Sequence, residues 1–336
     1  SLTAHINGQQ QISLEQLEPV QPSNNNYLDL ADVRGQHQAK RALEIAAAGN
    51  HSLLMSGPPG SGKTMLASRL PGILPPMTEA EAIGSAVITS ISEQGFKAEN
   101  WGRHPYRAPH HTASAVALVG GGSNPRPGEI SLAHQGILFL DELPEFDRRV
   151  LEVLREPLES GHIIISRAAR QAEYPARFQL VAAMNPCPCG NLYHQSKSCR
   201  CTDLEIKRYK NRLSEPFLDR IDISVIMQPT SSEDRPGLSS SQMHKKVFEA
   251  LKMRESRQQG KPNGKLDDEN IKTFCSISSD LQELMRTASE QFGLSFRAVN
   301  KTLKVARTIA DIDGSPEIKD GHIMESVSYR AVKIYE

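Results

Sequence analysis

A glycine-rich segment, MSGPPGSGKTMLASRL, begins at Met55 and limits the folds that this chain can adopt. A short apolar run precedes it and a helix-forming run follows it. Within it, four residues separate Gly57 from the consecutive residues Gly62, Lys63 and Thr64. Glycines let backbone amides turn inward around a phosphate group, and a helix start adds positive electrostatic potential. The pattern therefore predicts a phosphate-binding loop between a buried strand and a helix.

Two residues of this loop have specific predicted roles. Lys63 is expected to reach the outer phosphates of a nucleotide, and the Thr64 hydroxyl to bind Mg²⁺. An ordinary glycine-proline turn is the alternative, but the strand before it and the helix after it favour nucleotide binding. The predicted nucleotide-binding residues are Val33, Gly57, Pro58, Pro59, Gly60, Ser61, Gly62, Lys63, Thr64 and Met65.

Two adjacent acids end a second apolar run, GILFLDELPEF, at residues 136–146. In a nucleotide hydrolase, an acid at the tip of a neighbouring strand holds the hydration shell of Mg²⁺, and a second acid polarises the attacking water. We assign the first role to Asp141 and the second to Glu142. An acidic N-cap for the next helix is the alternative, and the presence of Lys63 makes it less favoured.

A third apolar run, FQLVAAMNPCPCG, ends in Asn185. An amide at this point can hydrogen-bond the γ-phosphate or the attacking water without adding charge. Taken alone, an Asn at a strand end is more often a turn former.

Paired cysteines directly follow this run. Four of the five cysteines form the motifs CPC, at Cys187 and Cys189, and CRC, at Cys199 and Cys201. In a reducing cytoplasm, four thiolates can bind Zn²⁺ tetrahedrally and close a loop too polar to form its own core. We predict a structural Zn²⁺ site without a catalytic position; free thiols, or His194 in place of one thiolate, are the alternatives.

The order of apolar and polar segments predicts the domain organisation. Residues 27–228 alternate short apolar runs with helical segments, as in an α/β fold with a parallel sheet covered by helices. Residues 1–26 are polar and rich in Gln and Asn, which predicts a linker, and residues 229–241 form a second linker by composition. Residues 242–336 are expected to form a helical domain of four or five amphipathic helices.

Charge and hydropathy limit the partners and the location. The 336 residues contain 39 basic and 39 acidic residues, so the net charge is zero and a nucleic acid would need a local basic surface. No apolar run approaches the roughly 18 residues of a spanning helix, which predicts a soluble, cytoplasmic protein without a membrane partner. The start without Met suggests a piece of a longer protein.

Five motifs occur in the order of a known ATPase class. GPPGSGKT, FLDE, AAMN, FLDRID and SFRAVNKTLKVARTIAD resemble the Walker A, Walker B, sensor 1, arginine finger and sensor 2 motifs of AAA+ ATPases. The segment YRAPHHTASAVALVGGGSNPRPGEISLAHQ resembles the helix-2 insert of magnesium chelatase and MCM proteins. With NPCPCG and the later CRC, the chain resembles the magnesium-chelatase-like ComM/YifB family from about Tyr27 to Tyr329.

This resemblance implies a fold and an activity. The fold would be a five-stranded parallel sheet with helices on both faces, a β-rich helix-2 insert at about 106–135 and a C-terminal helical lid. The activity would be that of a homo-hexameric, ATP-driven motor that promotes branch migration of DNA during natural transformation, acting on single-stranded and branched DNA. The family usually carries an additional N-terminal domain similar to Lon protease, which is missing from this sequence.

The resemblance also assigns arginines to the ATPase. Arg220, in SEPFLDRIDI, matches the arginine finger that completes the site of a neighbouring subunit, with Arg212 as the alternative. Where the family has Ser-Gly-Pro, this chain has Ser214, Glu215 and Pro216. Arg297 matches sensor 2.

DNA contacts are expected at a hairpin before the sensor 1 strand. The segment at about 160–178 contains two β-rich runs around a turn, with Arg167 and Arg170 near the tip. These arginines are predicted to bind DNA phosphates, and an ordinary solvated hairpin is the alternative. A protein unfoldase and a chelatase-type remodelling subunit are the other functional classes considered.

Overall fold

The computed structural model of the chain describes residues 27–93, 95–121, 125–167, 170–192, 194, 197–229 and 237–331. The predicted linker at 1–26, and residues 230–236 of the second one, lie outside this description. So do the side chains of residues 166, 167, 170 and 331.

The described residues form nine strands. They are β1 (Leu53–Ser56), β2 (Tyr106–Arg107), β3 (Gly120–Gly121), β4 (Arg126–Pro127), β5 (Ile137–Leu140), β6 (His162–Arg167), β7 (Arg170–Pro175), β8 (Gln179–Met184) and β9 (Ile223–Ile226). Five of them form one sheet in the order β2-β5-β8-β1-β9, and every neighbouring pair in it is parallel. This sheet confirms the predicted α/β fold.

Fourteen α-helices lie in the same described ranges. They are α1 (His37–Gly49), α2 (Lys63–Ala67), α3 (Glu79–Ser90), α4 (Ala115–Val119), α5 (Glu129–Leu132), α6 (Arg148–Val153), α7 (Arg155–Ser160), α8 (Asp203–Lys210), α9 (Glu215–Leu218), α10 (Ser240–Ser256), α11 (Asp268–Phe274), α12 (Ser279–Phe292), α13 (Phe296–Ile312) and α14 (Asp320–Ala331). None of these helices has both the length and the apolar character needed to cross a membrane.

Helices cover both faces of the sheet. Strand β1 is buried along its whole length, and its residues alternate between two apolar clusters: Leu53 and Met55 belong to one cluster, Leu54 to the other. A strand that is buried on both faces has an apolar run in place of alternation, which explains LLM in β1 and ILFL in β5.

The C-terminal helices form a lid with its own apolar cluster. Helix α13 belongs to two clusters at once: Ala306 and Ala310 pack within the lid, whereas Val305 and Ile309 pack on the sheet domain. Because residues at successive positions of a helix point to different faces, one helix can join the two cores.

A buried charged group also joins the lid to the sheet domain. Asp222, just before β9, accepts a hydrogen bond from the Ser52 backbone N–H at 3.0 Å and forms an ion pair with Lys301 of α13. His51 Nδ1 lies 3.4 Å from Asp222 Oδ2. Burial raises the pKa of Asp222, but the charge of Lys301 and the hydrogen bond with His51 outweigh burial and hold this pKa well below its usual value. The lid therefore contacts the amino-terminal edge of the sheet.

The insert between β2 and β5 differs from the expected β-rich structure. Its strands β3 and β4 have two residues each, and two short helices, α4 and α5, lie beside them. Ser114 caps α4 by accepting a hydrogen bond from the Ala117 backbone N–H, so part of the insert is helical where a β-rich structure was expected.

Candidate nucleotide site and cysteine cluster

The phosphate loop follows β1 at the carboxyl edge of the sheet. The Gly57 backbone N–H donates to the Met184 carbonyl oxygen at 3.2 Å, and a Cβ at Gly57 would lie 2.7 Å from the Met227 carbonyl oxygen. Gly60 and Gly62 have positive φ values of 79° and 90°, and open space lies beside both. Gly57 is therefore required by packing, and Gly60 and Gly62 by backbone conformation.

Lys63 lies in the loop with its side chain largely buried. Its ammonium donates to the carbonyl oxygens of Gly57 at 2.7 Å and Pro58 at 2.9 Å, and to Asn185 Oδ1 at 3.2 Å. Burial lowers the pKa of Lys63, and the carboxylates of Asp141 and Glu142 oppose that shift. The structure thus brings Lys63 and Asn185 together at one edge of the sheet.

Asp141 contacts Thr64. The Thr64 hydroxyl donates to Asp141 Oδ2 at 2.6 Å. Hydroxyl and carboxylate oxygens are ligands that Mg²⁺ accepts, so these two residues fit the chemistry of a nucleotide-bound Mg²⁺. The pair could hold the ion or its hydration shell beside the phosphate loop.

Glu142 has an unusual backbone conformation for a residue other than glycine. Its φ of 52° lies in the left-handed region, and its N–H donates to Asp141 Oδ1 at 2.9 Å. The Glu142 side chain is exposed and makes no capping hydrogen bond to the short 3₁₀ helix at Leu143–Glu145. The alternative that Glu142 serves as an N-cap therefore receives no support.

Sequence reasoning missed a histidine that contacts Glu142. His111 Nδ1 lies 3.0 Å from Glu142 Oε2, and the His110 and His111 rings lie 4.1 Å apart. Both histidines line a cleft of about 480 Å³ together with Thr64, Asp141 and Glu142. The only signal in the sequence was the adjacent pair of histidines.

The segment that contains the predicted residue Val33 contacts the phosphate loop through Gln36. Val33 is buried at the end of the 3₁₀ helix Leu30–Asp32. Gln36 has a φ of 54°, and its amide donates to the carbonyl oxygens of Ser61 at 3.2 Å and Gln228 at 2.6 Å. A lone Gln gives no signal in a sequence, so this contact of Gln36 with the loop could not be predicted. Met65, in α2, is about half exposed.

Arg220 lies at the opposite edge of the sheet from the phosphate loop. The Ser52 hydroxyl donates to the Arg220 carbonyl oxygen at 2.8 Å, and Ser52 immediately precedes β1. Because a strand rises about 3.3 Å per residue, β1 places the Arg220 backbone roughly 13 Å or more from the loop of its own chain. Burial lowers the pKa of Arg220, and Glu159 opposes that shift.

Arg297 lies beside Arg220. A single carboxylate oxygen, Glu159 Oε1, accepts from Arg220 Nη2 at 2.7 Å and from Arg297 Nη2 at 3.0 Å. The three side chains line a cleft of about 420 Å³ between the sheet domain and the lid. Glu159, at the end of α7, is a further residue that the motifs did not indicate.

The alternative finger, Arg212, lies elsewhere. Arg212 Nη1 donates to Glu145 Oε2 at 2.6 Å and to the Pro144 carbonyl oxygen at 3.2 Å. These two residues follow Asp141 and Glu142, so Arg212 lies on the same edge as the phosphate loop of its own chain. Arg220, in contrast, lies at the opposite edge of the sheet.

The predicted DNA-binding hairpin consists of β6 and β7. Arg167 and Arg170 are register partners at its end, and their side chains lie outside the described part of the structure. The Tyr174 hydroxyl donates to the Pro125 carbonyl oxygen at 2.7 Å, and Ile165 packs on Gly120. The hairpin and the insert therefore contact each other.

The four paired cysteines converge. The sulfur atoms of Cys187, Cys189 and Cys199 lie 3.5 to 3.7 Å apart, and those of all four lie within 4.8 Å of one another. A tetrahedral ion with metal-sulfur bonds of about 2.3 Å requires sulfur-sulfur distances of about 3.8 Å. This cysteine cluster, Cys187, Cys189, Cys199 and Cys201, therefore has the geometry to hold one metal ion. Cys275 is buried apart from it, at the end of α11.

Comparison with known proteins matches nearly the whole described chain. The family described as "Magnesium chelatase, subunit ChlI" matches residues 29–235, and the one described as "Magnesium chelatase, subunit ChlI C-terminal" matches residues 237–330. These two matches correspond to the sheet domain and the lid.

Three relatives show the range of similarity. Competence protein ComM of Haemophilus influenzae is 50% identical over 338 residues, covering 97% of this chain and 65% of that protein. YifB of Escherichia coli is 51% identical over 309 residues, covering 90% of this chain and 60% of that protein. DNA replication licensing factor Mcm2 of Drosophila melanogaster is 23% identical over 265 residues, which are 74% of this chain and 26% of Mcm2. The chain thus spans less than two thirds of the length of ComM and YifB.

These matches confirm the family that the ordered motifs indicate, and that family is one of AAA+ type ATPases. The chain belongs to the magnesium chelatase ChlI family and is similar to its ComM and YifB members.

Proposed function

We propose that the protein is an ATP-dependent, hexameric DNA motor that promotes branch migration in homologous recombination during natural transformation. The observation that carries the ring part of this proposal is the separation of two sets of residues. Lys63 and Asp141 lie at the carboxyl edge of the sheet, and Arg220 and Arg297 at the amino edge. A neighbouring chain can bring the second set to the first.

The residues at the carboxyl edge have roles in ATP hydrolysis. Lys63 would bind the outer phosphates, and Asn185, already in contact with Lys63, would sense the γ-phosphate. Bound Mg²⁺, held through Thr64 and Asp141, would neutralise charge on the phosphates. Glu142 would accept a proton from the attacking water, and its contact with His111 sets the direction of its carboxylate.

The arginines would act on the nucleotide of the next subunit. A guanidinium placed on the transferring phosphoryl group raises the rate by roughly 10³ to 10⁵ where such an arginine has been measured. Arg220 would be the finger and Arg297 the sensor 2 residue. The location of Arg212 near its own phosphate loop favours Arg220 over Arg212 for action between subunits.

Support for DNA as the partner comes from the relatives and from the hairpin. One relative is named a competence protein, and another is named a DNA replication licensing factor. In a ring, the β6–β7 hairpin and the adjoining insert would project Arg167 and Arg170 toward single-stranded or branched DNA. A ring can concentrate arginines in its channel while each chain stays neutral. The cysteine cluster would hold structural Zn²⁺.

A branch-migration assay tests the proposal. The purified protein, ATP and Mg²⁺ are incubated with a labelled three- or four-stranded DNA junction, and the conversion of the junction into its branch-migration products is followed with time. We expect ATP-dependent branch migration by the wild-type protein. Lys63→Ala should lose this activity, because the change removes the phosphate-binding ammonium. The matched surface variant Lys252→Ala should keep it.

A parallel ATPase measurement distinguishes the other functional classes. We expect DNA to stimulate hydrolysis and unfolded protein to have no effect. Stimulation by unfolded protein alone would indicate an unfoldase. Junctions that stay intact, without DNA binding, would indicate a chelatase-type remodelling subunit and contradict the proposal.

A further inference from the structure

The cysteine cluster touches the phosphate loop through one glycine. Gly190 follows Cys189 directly and has a φ of 78°. A Cβ built on Gly190 would lie 2.4 Å from Pro59 Cδ and 2.9 Å from Pro59 Cγ. The Gly190 N–H donates to the Cys187 carbonyl oxygen at 3.0 Å, so a tight turn between cysteines presses its backbone on the Pro59 ring.

A second route connects the cluster to the loop. Asn185 lies two residues before Cys187, and its side-chain oxygen accepts a hydrogen bond from Lys63. The backbone of Asn185 is hydrogen-bonded to Tyr209 of α8, the helix that begins just after Cys201. The chain segments before and after the cluster therefore meet at Asn185, the residue that contacts Lys63.

The shape of this segment depends on what holds the sulfur atoms together. Residues 190–198, GNLYHQSKS, offer few apolar side chains for a core of their own. Neutral thiols at 3.5 to 3.7 Å are joined only by weak S–H hydrogen bonds, whereas thiolates at this distance would repel one another unless a cation lay between them. The position of Gly190 against Pro59 would therefore follow the state of the cluster.

We propose that the cysteine cluster is a metal-dependent support of the phosphate loop, in which bound Zn²⁺ holds Gly190 against Pro59 and thereby sets the affinity for ATP. This inference rests on the proposed function only in that the loop binds ATP. It assigns Gly190 and Pro59 as positioning residues, since neither needs a side-chain contact with the nucleotide to act.

The first test uses the wild-type full chain. Zinc content is measured by elemental analysis, and equilibrium binding of a fluorescent ATP analogue is measured with excess Mg²⁺, before and after treatment with a zinc-selective chelator. We expect one Zn²⁺ per chain, a loss of roughly tenfold in ATP affinity on its removal, and recovery when Zn²⁺ is returned. Equal affinity with and without Zn²⁺, or protein that takes up no Zn²⁺, would overturn the proposal.

The second test isolates the steric contact. Gly190→Ala introduces a methyl group against Pro59, whereas Gly102→Ala introduces the same backbone strain, at a φ of 69°, with open space around it. We expect about tenfold weaker ATP binding in Gly190→Ala at unchanged zinc content, and a change of less than about twofold in Gly102→Ala. If the two variants bind ATP equally well, the contact has no role.

A compensating change completes the second test. Pro59→Ala removes the Cγ and Cδ atoms that the new methyl group would meet, so the double variant Gly190→Ala/Pro59→Ala should bind ATP more tightly than Gly190→Ala alone. No recovery would argue against the contact. Zinc-loaded wild-type protein that fails to bind ATP at all would instead contradict the proposed function, which keeps the two failures distinct.

Discussion

Individual residues of the candidate site combine strain with close polar contacts. Glu142 holds a left-handed backbone conformation that costs a residue with a Cβ of order 1–3 kcal/mol, and such strain is concentrated at functional sites. Its backbone N–H is bonded to Asp141, which in turn accepts from Thr64. The Glu142 side chain contacts His111 and lines the same cleft as Thr64 and Asp141.

The role proposed for Glu142 predicts the behaviour of Glu142→Gln. The amide keeps the size of the side chain but accepts no proton from water, so the variant should bind ATP and lose roughly 10²- to 10⁴-fold in kcat. Steady-state ATPase rates and ATP binding measure the two effects. Glu145→Gln, in the same loop, should keep most of the activity; normal hydrolysis by Glu142→Gln would show that Glu142 is not the base.

A buried histidine predicts how stability depends on pH. Burial, assisted by Arg177 and opposed by Glu81, lowers the pKa of His134 to about 4, below the 6.5 or so expected in the unfolded chain. Its Nδ1 accepts a hydrogen bond from the Arg177 backbone N–H at 3.1 Å. The stability gained from neutral His134 is therefore complete above pH ~6.5 and is lost as the pH falls toward 4.

Thermal unfolding between pH 7 and pH 4 checks this expectation. The fall in Tm should be steeper for the wild-type protein than for His134→Gln, because the amide does not titrate. His37 is exposed, so His37→Gln should show the wild-type slope. Parallel curves for wild type and His134→Gln would refute a role for His134.

At the scale of elements, the hairpin packs against the insert. Strands β6 and β7 were expected from two β-rich runs, and their antiparallel register pairs His162 with Pro175 and Arg167 with Arg170. The two short helices of the insert were not expected, because the insert was predicted to be β-rich; Ser114 caps the first of them. The two elements contact each other through Tyr174 and Pro125.

Replacing the arginines at the hairpin end tests its role in DNA binding. The double variant Arg167→Ala/Arg170→Ala should bind single-stranded DNA more weakly than the wild-type protein does, whatever the sequence of the DNA. The slope of log K against log salt concentration should shrink by about 0.7 for each lost phosphate contact. ATP binding should stay unchanged, since the substitutions lie outside the nucleotide site.

A surface arginine of the lid provides the matched control for the hairpin. Arg286, on α12, is exposed and paired with Glu283 and Glu290. Arg286→Ala should leave the salt dependence unchanged. An unaltered slope in the hairpin variant would favour the ordinary solvated hairpin.

For the whole molecule, the proposed function makes the two edges of the sheet complementary parts of one ATPase site. Asp222, Lys301 and His51 join the lid to the amino edge, and Glu159 holds Arg220 and Arg297 together there. The carboxyl edge carries the phosphate loop. Because the buried strands β1, β5 and β8 separate the two edges, a single chain cannot bring them together.

Mixing two inactive variants tests whether the site forms between chains. Arg220→Ala chains retain an intact phosphate loop, and Lys63→Ala chains retain an intact arginine. In mixed rings, some interfaces should combine the two and recover part of the wild-type ATPase activity.

A second mixture is the control for this experiment. Lys63→Ala with Glu142→Gln should stay inactive, because both changes damage the same edge. If native mass spectrometry shows mixed rings but the first mixture also stays inactive, Arg220 does not act between subunits.

The sequence by itself determined the α/β fold and the grouping of Lys63, Asp141 and Asn185. Each follows an apolar strand, or the loop after it, and the carboxyl ends of parallel strands meet at one edge of a sheet. Both facts depend on local patterns, namely apolar runs, glycine spacing and polar residues at strand ends, which a linear sequence displays directly.

Only the tertiary structure decided the contacts of His111 with Glu142, of Glu159 with two arginines, and of Gly190 with Pro59. Each joins segments that are distant along the chain, and no motif indicates which residue is the partner of His111, Glu159 or Gly190. Such contacts arise from how packed elements bring loops together, so they depend on the fold as a whole.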